Sequence, residues 1–410
     1  MKRYVIIGNG TAAVGCIEGI RSVDPDGSIT VVSAENHPVY GRPLISYYLE
    51  GKTDRAHMNY RPADFYEQNG CRVLYGKRAT ALNAKKRTVT LCDGSALPYD
   101  ELCVATGSRP FVPPMEGLDT VEHAYTFMTM DDALSLESAL TPQARVLIVG
   151  AGLIGLKCAE GIHDRVGSIT VCDLADRVLS SILDADCAAV VQNHLEEHGI
   201  RFLLGDSVAR FDGAAATMKS GQTLEFDLLV LAVGVRANTE LVRDAGGQVN
   251  RGILVSDKLE TDLPHVYAAG DCTEGYDASL GACRVLAILP NAYMQGHTAG
   301  VNMAGGEAAF DHAIPMNSIG FFGLHMMTAG TYEGDLIDDS ADGSVKRFFV
   351  KDGRLSGFIL IGEIERAGIY TSLIREGISL DSLNFEATKK VASNLIFSQE
   401  TRRKKFGGVV

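Results

Sequence analysis

A chain of 410 residues exceeds what a single hydrophobic core usually supports, so two or three domains are expected. Its net charge of -13 sets most of the surface against nucleic-acid phosphates, and no apolar run approaches the ~20 residues that span a bilayer. Gly8 and Gly10 cut short the apolar stretch after Lys2-Arg3, so the sequence reads as a cytoplasmic protein with neither a signal peptide nor membrane insertion.

The first element in the chain is the segment Val5-Ile6-Ile7-Gly8-Asn9-Gly10-Thr11-Ala12-Ala13, which leads through a helical pattern to Gly27-Ser28-Ile29-Thr30-Val31. Strand patterns follow at 87–91, with a turn at Asp93-Gly94, and at 102–105. The opening segment then recurs as Leu147-Ile148-Val149-Gly150-Ala151-Gly152-Leu153-Ile154-Gly155, leading to Gly167-Ser168-Ile169-Thr170-Val171. Its apolar runs are short and β-branched, as parallel strands buried on both faces require, so each copy reads as a strand, glycine turn, helix and strand. More strands are predicted at 228–233 and 266–269, a β-hairpin about the turn Lys351-Asp352-Gly353, and helices near 369–375 and in the last 25 residues.

The repeat carries chemistry. In such a unit the first glycine (Gly8, Gly150) permits a tight turn and the second (Gly10, Gly152) lets a pyrophosphate approach the backbone at the helix start, where Thr11 and Ala12, or Leu153 and Ile154, offer their N–H groups. The third position, Ala13 or Gly155, must be small for helix to pack on strand. One glycine-rich turn is weak evidence in a chain with 44 glycines. Two copies, each followed after its second strand by an acid placed to accept from ribose hydroxyls, are much stronger. These acids are Glu35 and Asp173. Asp173 would repel a 2'-phosphate, favouring NADH over NADPH, although Arg177 lies close enough in sequence to soften that choice.

Nine cysteines, at 16, 71, 92, 103, 158, 172, 187, 272 and 283, are never close enough for a zinc knuckle or a CxxC redox pair, and no histidines show metal spacing. Most of these cysteines should be small buried residues. The basic run Arg402, Arg403, Lys404 and Lys405 is either a solvated tail or a patch for an acidic partner.

These residues resemble the two-dinucleotide-binding flavoprotein superfamily that includes glutathione reductase, ferredoxin reductases and NADH oxidases. Ala105-Thr106-Gly107, Val233-Gly234-Val235-Arg236-Ala237-Asn238 and residues 261–272 (TDLPHVYAAGDC) match three further signatures of that superfamily, with Ala237 standing where it has proline. The resemblance implies an α/β protein of two Rossmann-like domains, the NAD domain inserted in the FAD domain, with a small α+β domain at the C-terminus. The expected boundaries are 1–112 with 235–313 for FAD, 113–234 for NADH, and 314–410 for the last domain. Beyond the first glycine turn and Glu35, it implies FAD contacts at Arg42, Pro43, Ala79, Thr106, Gly107, Gly270, Asp271, Leu289 and Asn291. It adds Val233 and Gly234 to the NADH residues.

Two windows narrow the subfamily. Disulfide reductases of this fold carry a cysteine pair soon after the first repeat, and NADH oxidases, peroxidases and coenzyme A disulfide reductases carry one cysteine there. Here Tyr40-Gly41-Arg42-Pro43-Leu44-Ile45-Ser46-Tyr47-Tyr48 has none, so electrons are expected to leave the flavin without a thiol relay. The Arg-Pro-Leu-x-Ser run is similar to NADH:rubredoxin reductases, the FAD subunit of nitrite reductase and oxygenase-coupled ferredoxin reductases, the last usually with lysine where Tyr47 stands, and residues 316–330 and 351–361 look like the C-terminal domain of rubredoxin-reductase-type proteins. Lys157 stands where the family commonly has glutamate, and its role stays open.

The resemblance implies hydride transfer from NADH to N5 of FAD with no catalytic side chain, no metal, and a small acceptor protein such as rubredoxin or ferredoxin; the protein would be a monomer or homodimer. The rivals are an NADH oxidase releasing hydrogen peroxide, a flavin subunit of a larger reductase complex, and an FAD-bound interaction protein.

Overall fold

Tyr4, Val5, Ile6 and Ile7 are all buried, and their strand Arg3–Ile7 is the centre of a five-stranded sheet. In a computed structural model, residues 1–341, 343–397, 400 and 402–403 are described; Lys404 and Lys405 of the basic tail lie outside them. The central strand pairs in parallel with Ser28–Val32 on one side and Glu101–Val104 on the other; Cys71–Leu74 and Val266–Ala268 complete the edges, also in parallel. Both faces of such a sheet are covered, and each fully buried Val, Ile or Leu contributes roughly 1.5–3 kcal/mol.

The second repeat builds the same sheet again. Arg145–Val149 is its centre, flanked in parallel by Ser168–Asp173 and Leu228–Leu231, with Ile200–Leu204 and Ala124–Thr126 at the edges. Every strand of this sheet falls between residues 124 and 231, whereas the first sheet draws strands from both sides of that interval. The likeness goes further than the glycine motif suggested. In each repeat a three-stranded antiparallel meander, at 79–98 and 208–225, is inserted just before the strand that pairs on the other side of the central one, Glu101–Val104 or Leu228–Leu231. Each meander is followed by a buried aromatic, Tyr99 or Phe226, and then an aspartate. Asp100 accepts the backbone N–H and guanidinium of Arg3, and Asp227 does the same for Arg145.

The glycine at the head of each turn is forced. Gly8 has φ +114° and Gly150 φ +118°, and a Cβ on either would overlap the carbonyl of Ala105 or Ala232. Ala105 follows Glu101–Val104 and Ala232 follows Leu228–Leu231, each strand paired directly with the central one, so the turn sits against a neighbouring strand end. Glycine is also used for close approach between helices Thr11–Arg21 and Leu289–Ala304. A Cβ on Gly15 or Gly19 would run into the second helix's backbone, and one on Gly296 or Gly300 into the first's.

Contacts between backbones divide the chain into two units, Met1–Gly275 with Arg284–Phe310, and Tyr276–Cys283 with Asp311–Val410. The first holds both parallel sheets. The second is α+β: a five-stranded antiparallel sheet of Met316–Phe321, Leu324–Gly330, Arg354–Ile361, Val345–Lys351 and Asp335–Asp338. The turn expected near Lys351 is formed by Asp352 and Gly353, both at positive φ as a two-residue hairpin requires. Helix Ala367–Arg375 buries Ile369, Tyr370, Leu373 and Ile374 in a core with Phe348 and Phe358. The short helix Phe385–Lys390 adds Phe385 to that core.

Candidate functional site

At the carboxyl ends of the first sheet's strands lies an open cleft lined by both polar and apolar groups. Its floor is the glycine turn, with Gly8, Gly10, Thr11 and Ala12 in the lining. Helix Thr11–Arg21 begins here with no side-chain cap, so its first N–H groups and the positive end of its dipole face the cleft. A Cβ on Gly10 or Gly107 would meet nothing within 4 Å, which leaves space where a ligand can come against bare backbone. Thr106, Gly107, Gly270, Asp271 and Leu289 close the far side.

The charged groups of the cleft are linked. Glu35 receives the Arg42 guanidinium on one carboxylate oxygen and the Tyr40 hydroxyl, at 2.7 Å, on the other. Each oxygen retains a second lone pair, so the carboxylate is oriented without being exhausted. Burial raises the Asp271 carboxyl above its ordinary value, against the opposing effects of the Ser108 hydroxyl at 3.2 Å and the nearby Arg42 charge.

Four of the expected FAD residues lie outside this lining. Ala13 is fully buried behind the turn, Asn291 is fully buried one turn into helix Leu289–Ala304, Ala79 starts a meander strand, and Pro43 is the exposed residue before helix Leu44–Leu49. Other lining residues were not singled out by sequence: Asn9, Ser33, Ala34, His37, Pro38, Tyr40, Ser108, Met128 and Ala292. Asn9 is held by the Tyr66 hydroxyl at 2.6 Å, and His37 pairs with Asp131 at 2.7 Å. Met128 is the least expected, because it follows Ala124–Thr126, an edge strand of the second sheet.

The second crevice repeats the first with altered detail. Helix Leu153–Ile162 starts at Gly152, again uncapped, and Gly155 lies so close to the Gly150 carbonyl that no Cβ fits. Asp173 ends its strand with both oxygens on backbone: Ala151 N–H at 2.7 Å and Ala175 N–H at 2.8 Å. Val233 and Gly234 follow strand Leu228–Leu231, and a Cβ on Gly234 would meet nothing. Arg177 donates to Asp176 at 2.8 Å and to the Leu183 carbonyl at 3.3 Å. Lys157 pairs with the buried Glu160 and places its ammonium 4.5 Å from the Tyr47 ring centroid.

The residues present fit FAD in the first crevice: bare turn amides and an arginine for its pyrophosphate, and a positioned carboxylate for its ribose. The second crevice fits the adenosine half of NADH in the same way. Among the described residues no cysteine lines the first cleft, no group of His, Cys, Asp and Glu is arranged to hold a metal, and no helix is long and apolar enough to cross a membrane.

This fold and pair of crevices define a two-dinucleotide flavoprotein oxidoreductase using FAD and NAD(P)H. The chain belongs to the pyridine nucleotide-disulphide oxidoreductase family, whose model matches residues 2–299. It is 32% identical to the NADH-dependent phenylglyoxylate dehydrogenase subunit epsilon of Aromatoleum evansii, across 98% of each chain. It is 30% identical to the NAD(P)H nitrite reductase of Bacillus subtilis over 97% of its own residues, which span 50% of that protein. Among solved structures, the covalent putidaredoxin reductase–putidaredoxin complex superposes with a TM-score of 0.88 over 96% of this chain and 97% of that one, at 24% identity, a likeness of fold.

Proposed function

We propose that the protein oxidises NADH and delivers the electrons to a one-electron carrier protein, a small redox protein of the rubredoxin or ferredoxin kind. Bound in the first crevice, FAD supplies the conversion of a hydride donor into a source of single electrons. The chain's own residues bind and orient. The 1–112 and 235–313 segments, apart from 276–283 and 311–313 of the second compact unit, hold FAD, 113–234 holds NADH, and 314–410 supplies the bulk of the remaining domain.

Within the FAD cleft, Gly8, Gly10 and Thr11 present backbone N–H groups, Arg42 neutralises phosphate charge, and Glu35 accepts from ribose. In the NADH crevice Asp173 plays Glu35's part, and its negative charge disfavours a 2'-phosphate. Neither crevice needs an acid, base or nucleophile of its own. Positioning two reactants accounts for most of the rate in such a reaction.

One observation carries the choice of acceptor: the cleft is lined without any cysteine among the described residues, and Tyr40 and Arg42 occupy the window where thiol-dependent relatives place theirs. Electrons therefore have no thiol route to a disulfide or peroxide substrate. A second reading, a flavin subunit within a larger reductase, is supported by the full-length similarity to a dehydrogenase subunit.

The test is to reduce the protein anaerobically with NADH and mix it with rubredoxin, ferredoxin, a quinone or oxygen. Fast, saturable reduction of a carrier protein supports the proposal. Turnover with oxygen alone, yielding stoichiometric hydrogen peroxide, contradicts it. Purification from the native source with iron-containing partner chains would favour the second reading.

A further inference from the structure

The charged groups of the FAD cleft converge on one phenol. The Tyr40 hydroxyl donates to Glu35 at 2.7 Å, accepts from the backbone N–H of Met130 at 2.8 Å, and accepts from Arg42 at 3.2 Å. Arginine and backbone N–H groups can only donate, so the single phenol proton is committed to Glu35, and both remaining sites on the oxygen are used. Tyr40 is buried, and this burial keeps its proton on by raising the hydroxyl above its ordinary value. The Arg42 guanidinium also lies over the Tyr40 ring, 5.4 Å from its centroid.

Met130 is not a neighbour in sequence or in sheet. It opens helix Met130–Ala139, directly after the strand Ala124–Thr126 that pairs with Leu228–Leu231 in the second sheet. A helix start leaves several N–H groups without intrahelical partners. Here the Thr129–Asp132 capping box serves the N–H groups of Met128, Thr129 and Asp132, and Met130 is served by Tyr40. Beside it Arg42 also donates to the Met128 carbonyl at 3.3 Å, and His37 bonds Asp131 at 2.7 Å. The ribose-side carboxylate of the FAD crevice is thus joined through a single oxygen atom to the strand-to-helix turn that follows an edge strand of the second sheet.

We propose that Tyr40 is a positioning residue that fixes Glu35 and Arg42 for FAD and couples filling of the FAD cleft to docking of residues 127–132 from the NADH sheet. This rests on the assignment of the first crevice to FAD. Tyr40→Phe keeps the ring and its packing, releases one oxygen of Glu35, and leaves the Met130 N–H buried without its acceptor. A bond lost from the cleft's own geometry must weaken FAD binding, whereas a bond that merely stabilises the fold would lower apoprotein and holoprotein stability alike.

The experiment measures the Kd of FAD for apoprotein, by flavin fluorescence, in the parent, Tyr40→Phe and Tyr4→Phe. Tyr4 is a matched control: it is buried, its hydroxyl meets the Asp24 carboxylate at 2.8 Å, and it lies outside the cleft lining. Tyr40→Phe is expected to raise the Kd about tenfold, equivalent to about 1.4 kcal/mol, while Tyr4→Phe lowers Tm and leaves the Kd within threefold. A Kd within threefold of the parent's in Tyr40→Phe, or an equal rise in Tyr4→Phe, overturns the proposal.

Hydrogen exchange on the unmodified protein supplies a reading that depends on no variant. Amides of residues 127–132 should exchange at least threefold more slowly once FAD is bound, and unchanged exchange overturns the coupling. If the parent binds no FAD at all, it is the assignment of the crevice that fails.

Discussion

Asp173 accepts the backbone N–H of Ala151 at 2.7 Å, so the acid at the end of the second repeat's strand is fastened to its own glycine turn. Its other oxygen takes the Ala175 N–H, which aims the carboxylate at the crevice before any nucleotide arrives. Asp173→Ala should therefore lower kcat/KM for NADH by about 10- to 100-fold, as loss of hydrogen bonds to a charged acceptor implies. The penalty against NADPH should shrink in the same variant. Steady-state rates with both nucleotides and ferricyanide as acceptor check this, and an unchanged preference would refute the role.

Arg177 adds a second nucleotide prediction. Its guanidinium is held by Asp176 and the Leu183 carbonyl, and the Asp176 pair is a largely exposed one of small worth. Asp176→Ala should release Arg177 to meet a 2'-phosphate and improve kcat/KM for NADPH severalfold without changing that for NADH. Equal effects on the two nucleotides would show that Arg177 plays no part in the choice.

Gly8 and Gly150 separate the two crevices genetically. Each holds a positive φ against a carbonyl that a methyl group would strike, so alanine at either position must displace the turn. Gly8→Ala is expected to purify largely without flavin colour. Gly150→Ala should remain yellow, yet its NADH KM should rise at least tenfold. Absorption spectra of the purified variants, with NADH titrations, distinguish the outcomes; a colourless Gly150→Ala would mean that the crevices are assigned the wrong way round.

Much of this was legible in the sequence because a buried parallel strand and a tight glycine turn are both local. Val5-Ile6-Ile7 and Leu147-Ile148-Val149 announce themselves by β-branching, and the glycines that follow have no other inexpensive use. What stayed hidden depends on chain segments distant in sequence. Met128 reaches the cleft only because the second sheet's edge strand ends beside the first sheet. Tyr40 looks like an ordinary aromatic until Glu35, Arg42 and Met130 are brought around it. Pro43, Ala79 and Asn291 were placed in the site by resemblance and are not among the residues that line the cleft.

The pair Arg3–Asp100 makes stability depend on acidity. Hydrogen bonding to Arg3 holds the Asp100 carboxyl down to about 2, below the ~3.9 of an unfolded aspartate. A depressed folded value means that its contribution is fully present above pH ~3.9 and is lost as pH falls through about 2. Asp100→Asn should accordingly lower Tm at pH 6, and the gap from the parent should close towards pH 2. A gap that stays constant across that range in thermal melts would contradict the assignment.

Thiol chemistry should be dispensable. Cys92 and Cys283 are exposed, while burial pushes the Cys71 and Cys272 thiols up to about 11 and leaves little thiolate near neutrality. Alkylating the native protein should modify the exposed pair and change the rate of NADH oxidation by less than twofold. A loss of tenfold or more would revive a cysteine relay.

Electron transfer requires the two crevices to bring their occupants together. Anaerobic stopped-flow mixing of the FAD-loaded protein with NADH measures this directly. The absorbance of oxidised flavin should fall within seconds and at a rate that saturates with NADH. Retention of the oxidised spectrum over that time, with FAD bound and NADH in excess, would contradict the central claim.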